Sequence, residues 1–351
     1  MQSINGKYYK IGKKIGSGTF GLIFNITRTE DNRKFAVKKF NKDKDTEQYD
    51  LGTLREISML KLLQNNQKEG IINLEDIILF DGDIYIVMEK YYMDLSIAIR
   101  MKILSFQVKE NIVKQITKAL AFLKHNGVIH RDIKPENILL DRKYNAVLCD
   151  FSLAKTFCGV SSLGTHTGKI ATVTYRAPEV MNNKHYDYGV DAWALGIIFY
   201  ELFSLNSYSV KKDKEVIPFL EKAVIEFDSN DKIGNTIKGL LTHDINKRWT
   251  PLYVLKYLFN YHYEPPKIWT SEKSCRISTK LKDICNDFEI DKQVTRWAAQ
   301  RYLNHTNCDL YSAVILACKF YETDLRDFSD FEEFGESEKL IFQKMNFNLY
   351  I

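Results

Sequence analysis

Three glycines, Gly16, Gly18 and Gly21, lie between two runs of strand-forming residues, Tyr8–Ile15 and Leu22–Arg28. The element after the glycines decides what they can serve. A glycine-rich turn leading from a strand into a helix suits dinucleotide binding. Here a strand leads into a second strand, so that reading fails. What remains is a β-hairpin whose tip can lie over phosphate groups, because glycine lets backbone N–H groups approach without a Cβ clash. Taken alone, the run is equally satisfied by a plain glycine-rich hairpin.

The rest of the chain divides by the period of its apolar residues. Further β-type runs occupy Lys34–Phe40, Ile77–Phe80 and Ile84–Glu89. One helical pattern interrupts them, Thr53–Leu63, with Leu54, Ile57, Leu60 and Leu63 on one face. Beyond these runs the pattern turns mainly helical, and Ser105–His125 and Asp191–Ser204 are its clearest segments. Residues 261–274 are rich in aromatics and carry Glu264-Pro265-Pro266. A residue before proline is pushed out of the helical region, so this stretch reads as an extended connector. Residues 275–351 carry helical patterns alone. The expected fold class is α+β, divided at 8–260, 261–274 and 275–351.

Composition narrows the function classes. The 351 residues are 45% hydrophobic and 27% charged, enough for a buried core and too apolar for general disorder. A net charge of +5 spread over the chain is too mild for a nucleic-acid binder. None of the six cysteines forms a Cys-x-x-Cys pair, which fits reduced thiols of an intracellular protein. The N-terminus Met1–Lys7 lacks the apolar stretch of a signal peptide. Nowhere is there an apolar run of the ~18 residues that a membrane span needs. The expectation is a soluble intracellular protein, in cytoplasm or nucleus, without nucleic-acid or membrane partners.

Motif order carries the functional reading. After the glycine hairpin come Phe35-Ala36-Val37-Lys38 on a strand and Glu56 on the amphipathic helix. Next along the chain are His130-Arg131-Asp132-Ile133-Lys134-Pro135-Glu136-Asn137, Asp150-Phe151-Ser152 and Ala177-Pro178-Glu179. In this order the motifs resemble those of eukaryotic protein kinases. The resemblance implies a bilobal kinase fold over 8–260, with a small β-rich lobe and a larger helical lobe. It also implies transfer of the γ-phosphoryl group of ATP to protein hydroxyls with Mg²⁺.

Site roles derive from the same resemblance. Ile15, Gly16, Ser17, Gly18, Thr19, Phe20, Gly21, Leu22 and Ile23 would cover the nucleotide. Ala36, Met88 and Leu139 would wall the adenine with Ile15 and Ile23, and Glu89 and Tyr91 would offer backbone hydrogen bonds. Taken singly, these apolar residues serve a core equally well. Lys38 would reach the α- and β-phosphates and be held by Glu56. Asp132 would accept the hydroxyl proton, and Lys134 would stabilise charge on the transferred group. Asn137 and Asp150 would hold Mg²⁺ as hard oxygen donors. Glu179 would pair with Arg248, and Asp191 would brace the catalytic loop. Lys134 inside His-Arg-Asp-x-Lys-x-x-Asn is similar to serine/threonine rather than tyrosine kinases.

A finer resemblance and its departures concern regulation. Thr53-Leu54-Arg55-Glu56-Ile57-Ser58-Met59-Leu60 is similar to the cyclin-binding helix of cyclin-dependent kinases. Thr167 falls at their activating phosphothreonine, and Arg55, Arg131 and Lys155 would receive its phosphate. Phe20 stands where those kinases carry an inhibitory tyrosine, and Leu205–Asp244 is shorter than their counterpart. Ser152 stands where they have glycine, and its Cβ is expected to restrict the metal loop. A pseudokinase or scaffold with weakened catalysis is the alternative reading. The segment 275–351, with Trp297-Ala298-Ala299-Gln300-Arg301-Tyr302-Leu303 and Ala313–Glu322, looks like the first five-helix repeat of a cyclin. Lys319 and Glu338 fall where cyclins carry the pair that grips the kinase helix. The resemblance implies a kinase fused to its own activator, docking in cis or in trans within a dimer.

Overall fold

The computed structural model describes residues 1–3, 5–18, 21–42, 51–64, 66–156, 173–182, 186–204, 210, 212–224, 227 and 231–266. Thr19, Phe20, Thr167 and the whole segment 275–351, with Lys319 and Glu338, lie outside the described residues.

Five strands build the small lobe: β1 Tyr9–Gly18, β2 Gly21–Arg28, β3 Lys34–Phe40, β4 Leu74–Phe80 and β5 Asp83–Glu89. They form an antiparallel sheet of order β1-β2-β3-β5-β4. Side chains alternate between the two faces of such a sheet. Tyr9, Ile26, Phe35, Val37, Ile78, Tyr85 and Val87 form the outer apolar layer. The first residues of the chain close over it: the Met1 amine donates to the Tyr9 carbonyl at 2.9 Å, and Ser3 bridges to Ile78. Asp76 is buried on β4 and accepts from Asn5 at 2.8 Å and from the Tyr9 hydroxyl at 3.2 Å. The helix α1, Leu51–Leu62, lies between β3 and β4 in the chain, and its Ile57, Met59 and Leu60 are buried in the inner core.

The large lobe is mainly helical. It comprises α2 Leu95–Met101, α3 Phe106–His125, α4 Pro178–Met181, α5 Gly189–Phe203, α6 Asp213–Val224, α7 Lys232–Leu240 and α8 Pro251–Phe259. Four short strands come after β6 Met93–Asp94, namely β7 Val128–Ile129, β8 Ile138–Leu140, β9 Ala146–Leu148 and β10 Lys155–Thr156. Ser105 caps α3, its hydroxyl accepting from the Val108 amide at 3.3 Å, which satisfies an N-terminal donor the helix itself cannot pair. Ile112, Val113, Ile116, Ala119, Leu120 and Leu123 recur at helical spacing and are buried. The α5 helix is apolar almost all round and buried from Val190 to Tyr200, which makes it the central post of the lobe.

Residues 261–266 carry no helix or strand and run along α3. The Tyr261 ring takes Lys114 at 4.8 Å, the Tyr263 ring takes Lys118 at 5.2 Å, and Asn126 donates to the Pro266 carbonyl at 2.8 Å. The described part of the expected connector is therefore non-helical.

Boundaries differ from the sequence reading by more than one residue at two strands. The first continues to Gly18 rather than Ile15, because Gly16, Ser17 and Gly18 pair with Ile23, Leu22 and Gly21 and zip the hairpin to its tip. The fourth begins at Leu74 rather than Ile77, because the buried Asp76 hides its apolar alternation.

The backbone of α7 packs directly on the Trp249 indole. A Cβ at Gly239 would fall on that ring, and Trp249 also donates its amide to the Gly239 carbonyl at 3.0 Å. Gly239→Ala is expected to destabilise the protein by about 2 kcal/mol through overpacking, read as a lower urea midpoint.

Candidate active site

The glycine hairpin, β3 and α1 bring the small-lobe residues to one face of the sheet. Ile23 pairs with Lys38, and Ala36 pairs with Met88, so all four side chains share that face. A Cβ at Gly21 would meet the Lys39 carbonyl, so this turn into β2 admits glycine alone. Ile15, at the far strand, is 47% exposed. At the junction between lobes, Glu89 ends β5, the Tyr91 hydroxyl donates to the Glu89 carboxylate at 3.2 Å, and the Tyr92 amide donates to the Leu140 carbonyl at 2.8 Å. Leu139 lies on β8, paired with Asp94 of β6.

Lys38 and Glu56 are both buried and bonded. The lysine Nζ donates to the two carboxylate oxygens at 2.9 and 2.7 Å. The same Nζ lies 3.9 Å from Oδ1 of Asp150, which belongs to the large lobe. Burial opposes the charge on Lys38, but Glu56 and Asp150 outweigh it and raise its pKa above the ordinary lysine value. Burial likewise opposes ionisation of Asp150, but Lys38 and the hydrogen bonds of Ser152 outweigh it and hold the carboxyl below its ordinary value.

Residues 130–137 converge beside them. Asp132 Oδ2 accepts from Lys134 Nζ at 2.7 Å and from Asn137 Nδ2 at 2.9 Å, and Asn137 also donates to the Asp132 carbonyl at 2.8 Å. Asp191, at the start of α5, accepts the His130 amide at 2.8 Å and the Arg131 amide at 2.9 Å. That bracing holds Arg131 in the left-handed region at φ 68°. Burial pushes the Asp191 carboxyl above its ordinary value. The Asp132 amide donates to His130 Nδ1 at 3.3 Å, so the ring proton sits on Nε2 and is given to the Cys149 carbonyl at 3.0 Å. The buried Phe151 ring packs 4.8 Å from the His130 ring.

Three basic residues gather on the segment after Asp150. Arg55 Nη1 donates to the Ser152 carbonyl at 3.2 Å, and Arg131 Nε donates to the Leu153 carbonyl at 2.6 Å. Lys155 is buried on β10, opposite Ile129 of β7. Arg131 Nη1 also donates to the Tyr186 hydroxyl at 2.9 Å, a partner that no sequence motif signals. Glu179 and Arg248 form a buried two-pronged pair at 2.6 and 2.9 Å, as the resemblance implies.

The donor set suits a hard divalent cation. Asn137 spends its amide N–H groups on Asp132, which leaves the carbonyl oxygen as its acceptor, and Asp150 is held ionised. Among the described residues no group of three or more His, Cys, Asp or Glu side chains could hold a metal alone. Magnesium commonly takes one or two protein oxygens and completes its shell with phosphate and water, so two donors suffice. Among the described residues no helix is long and apolar enough to cross a membrane.

Tyr175 and Glu201 stand apart from these groups. The Tyr175 hydroxyl donates to the two Glu201 oxygens at 3.0 and 3.1 Å. Burial pushes the Glu201 carboxyl from 4.5 up to about 7; the Tyr175 bond works against this and the charge of Glu136 adds to it. Between those pH values the folded protein keeps a proton that the unfolded chain has released, so stability falls as pH rises through the window. In Glu201→Gln that contribution disappears. Urea unfolding at about pH 4.5 and about pH 7 should show a smaller loss of stability in the variant than in the parent.

The family model described as protein kinase domain matches residues 9–306. The match begins at β1 and continues past α8 into the segment read as helical appendix. Covering well over half of the 351 residues, it places this chain in the protein kinase family, whose members are phosphotransferases that use ATP and a divalent metal on protein substrates.

Proposed function

We propose that this protein is a serine/threonine kinase of the cyclin-dependent type that uses Mg²⁺ and ATP, with residues 275–351 acting as a built-in cyclin-like activator. The observation that carries the catalytic part is the meeting of Lys38, Glu56 and Asp150 within one network of 2.7–3.9 Å contacts. Lys38 is presented on β3 as a fixed cation for the α- and β-phosphates. Asp132 receives the target hydroxyl proton, and its hydrogen bonds to Lys134 and Asn137 aim its carboxylate. Lys134 then lies where charge develops on the transferred phosphoryl group. Asn137 and Asp150 are the metal-holding residues, and the cation, when bound, neutralises charge on the triphosphate.

Arg55, Arg131 and Lys155 support the regulatory part of the reading. All three attach to the segment 152–155 or its paired strand, where a phosphate on Thr167 could tie them together. The activator reading rests on the Lys319 and Glu338 resemblance and on Glu56 lying on α1. A segment that presses α1 inward favours the state in which Lys38 and Glu56 are paired.

Transfer of phosphate to a generic basic protein tests the catalytic reading. Asp132→Asn is expected to lower kcat by about 100-fold or more while the KM for ATP stays near the parent value. Phosphate should appear on serine and threonine, and equal rates in parent and variant would overturn the assignment. Nucleotide binding by the parent without any transfer would establish the scaffold alternative. In the full chain, Lys319→Ala with Glu338→Ala should cut activity by about 10-fold if the segment grips α1. Unchanged activity would remove the activator reading.

A further inference from the structure

Ser152 occupies the place where the resembling kinases have glycine, and its side chain is engaged rather than merely tolerated. Its hydroxyl donates to Asp150 Oδ1 at 2.7 Å, and its amide approaches the same oxygen at 3.4 Å. Its carbonyl accepts from Arg55 of α1 at 3.2 Å. Ser152 is 2% exposed, so its own side of these bonds is shielded from water, while the Asp150 side chain keeps 30% exposure. The left-handed dihedral of this loop falls on Asp150 at φ 61°, and Ser152 itself lies outside that region, so its Cβ costs no backbone strain. Beside the expected restriction by the Cβ stands a hydroxyl that makes the shortest contact to the Asp150 carboxylate.

From these contacts we infer that Ser152 is a positioning residue for the metal-holding carboxylate and links its orientation to α1. The hydroxyl and Lys38 both address Oδ1, which leaves Oδ2 of Asp150 for the divalent cation. A glycine at this position could offer the amide alone, at the longer distance. The carbonyl of the same residue is held by Arg55, next to Glu56. A displacement of α1 would therefore pull on the metal loop through Arg55 and on Lys38 through Glu56 at once. The inference rests on the reading that Asp150 holds the metal.

The test compares the full-length parent with Ser152→Ala, Ser152→Gly, Ser152→Thr and Asp150→Asn. Three quantities are read: the Mg²⁺ concentration for half-maximal phosphate transfer, the affinity for a non-hydrolysable ATP analogue with and without Mg²⁺, and the thermal unfolding midpoint. Loss of the hydroxyl in the alanine and glycine variants should raise the Mg²⁺ requirement about 10-fold and shrink the Mg²⁺-dependent gain in analogue affinity. Affinity without metal should stay unchanged, and threonine should restore the parent behaviour. A merely structural role would lower metal-free affinity and thermal stability instead, and that outcome overturns the inference. So does a glycine variant with the parent's Mg²⁺ requirement or a lower one. If Asp150→Asn abolishes the Mg²⁺ effect while alanine at 152 leaves it intact, this inference alone fails. If Asp150→Asn also leaves it intact, the reading of Asp150 fails and takes the inference with it.

Discussion

The buried pair of Lys38 and Glu56 is the constraint on which the working geometry depends. An ammonium and a carboxylate at 7% and 2% exposure each lose hydration on folding. Their mutual attraction repays that loss only while they remain in contact. A displacement of α1 that separates them takes from each buried charge its nearest partner of opposite sign. The helix is therefore held against β3 by charge balance as much as by Ile57, Met59 and Leu60. Because Lys38 also reaches Asp150, the same balance extends into the large lobe. One lysine thus ties together a strand, a helix and a loop that are far apart in sequence.

The large lobe answers with rigidity. Two non-glycine residues of the site, Arg131 and Asp150, sit in the left-handed region, a conformation that costs about 1–3 kcal/mol each. Such strain persists when neighbours over-determine it. For Arg131 the amide bonds of His130 and of Arg131 itself to Asp191, the contact to Tyr186 and the contact to Leu153 do so. Asp191 in turn is fixed because α5 is apolar almost all round and buried along most of its length. The loop of residues 130–137 is thereby anchored to a helix buried along most of its length, which fits a task that depends on placing atoms rather than on covalent chemistry.

The sequence reveals the site more fully than the fold's finer parts, for physical reasons. Motif residues such as Lys38, Asp132 and Asn137 are legible because each side chain type at its spacing has few alternative uses. The β3 and β5 strands are legible as short runs of strand-forming residues, and α3 from its apolar period and α5 from its apolar length. Strands β6 to β10 are not, since two or three residues are too short to show a period. The N-terminal closure over the outer sheet face is invisible in sequence because Ser3 and Asn5 act through polar contacts. Asp76 conceals the start of β4 for a related reason: a buried acid looks like a solvent residue until its partners Tyr9 and Asn5 are known. Tyr186 carries no motif at all and is found through its bond to Arg131. Ser152 reads as a departure because its cost, a Cβ, is visible in sequence, whereas its gain, a hydroxyl bond, needs coordinates.

The path of residues 261–266 bears on how a C-terminal segment could influence α1. The Tyr263 hydroxyl donates to Glu69, which also meets Lys118 at 3.3 Å. Glu69 lies in the 3-10 turn Gln67–Glu69, between α1 and β4. Residues after α8 are therefore bonded to the connection that leaves α1, and not just to the large lobe. The Tyr263 hydroxyl is pushed well above its ordinary pKa by burial and by Glu69, so it stays a donor at physiological pH. The α1 helix is consequently held at three points: Glu56 on Lys38, Arg55 on Ser152, and the turn beyond its end on Tyr263. The first two lie beside Asp150, and the third belongs to the stretch that leads toward the C-terminal segment. A cis activator needs a physical route of this kind, because a segment can shift a two-state helix only through contacts that differ between its states.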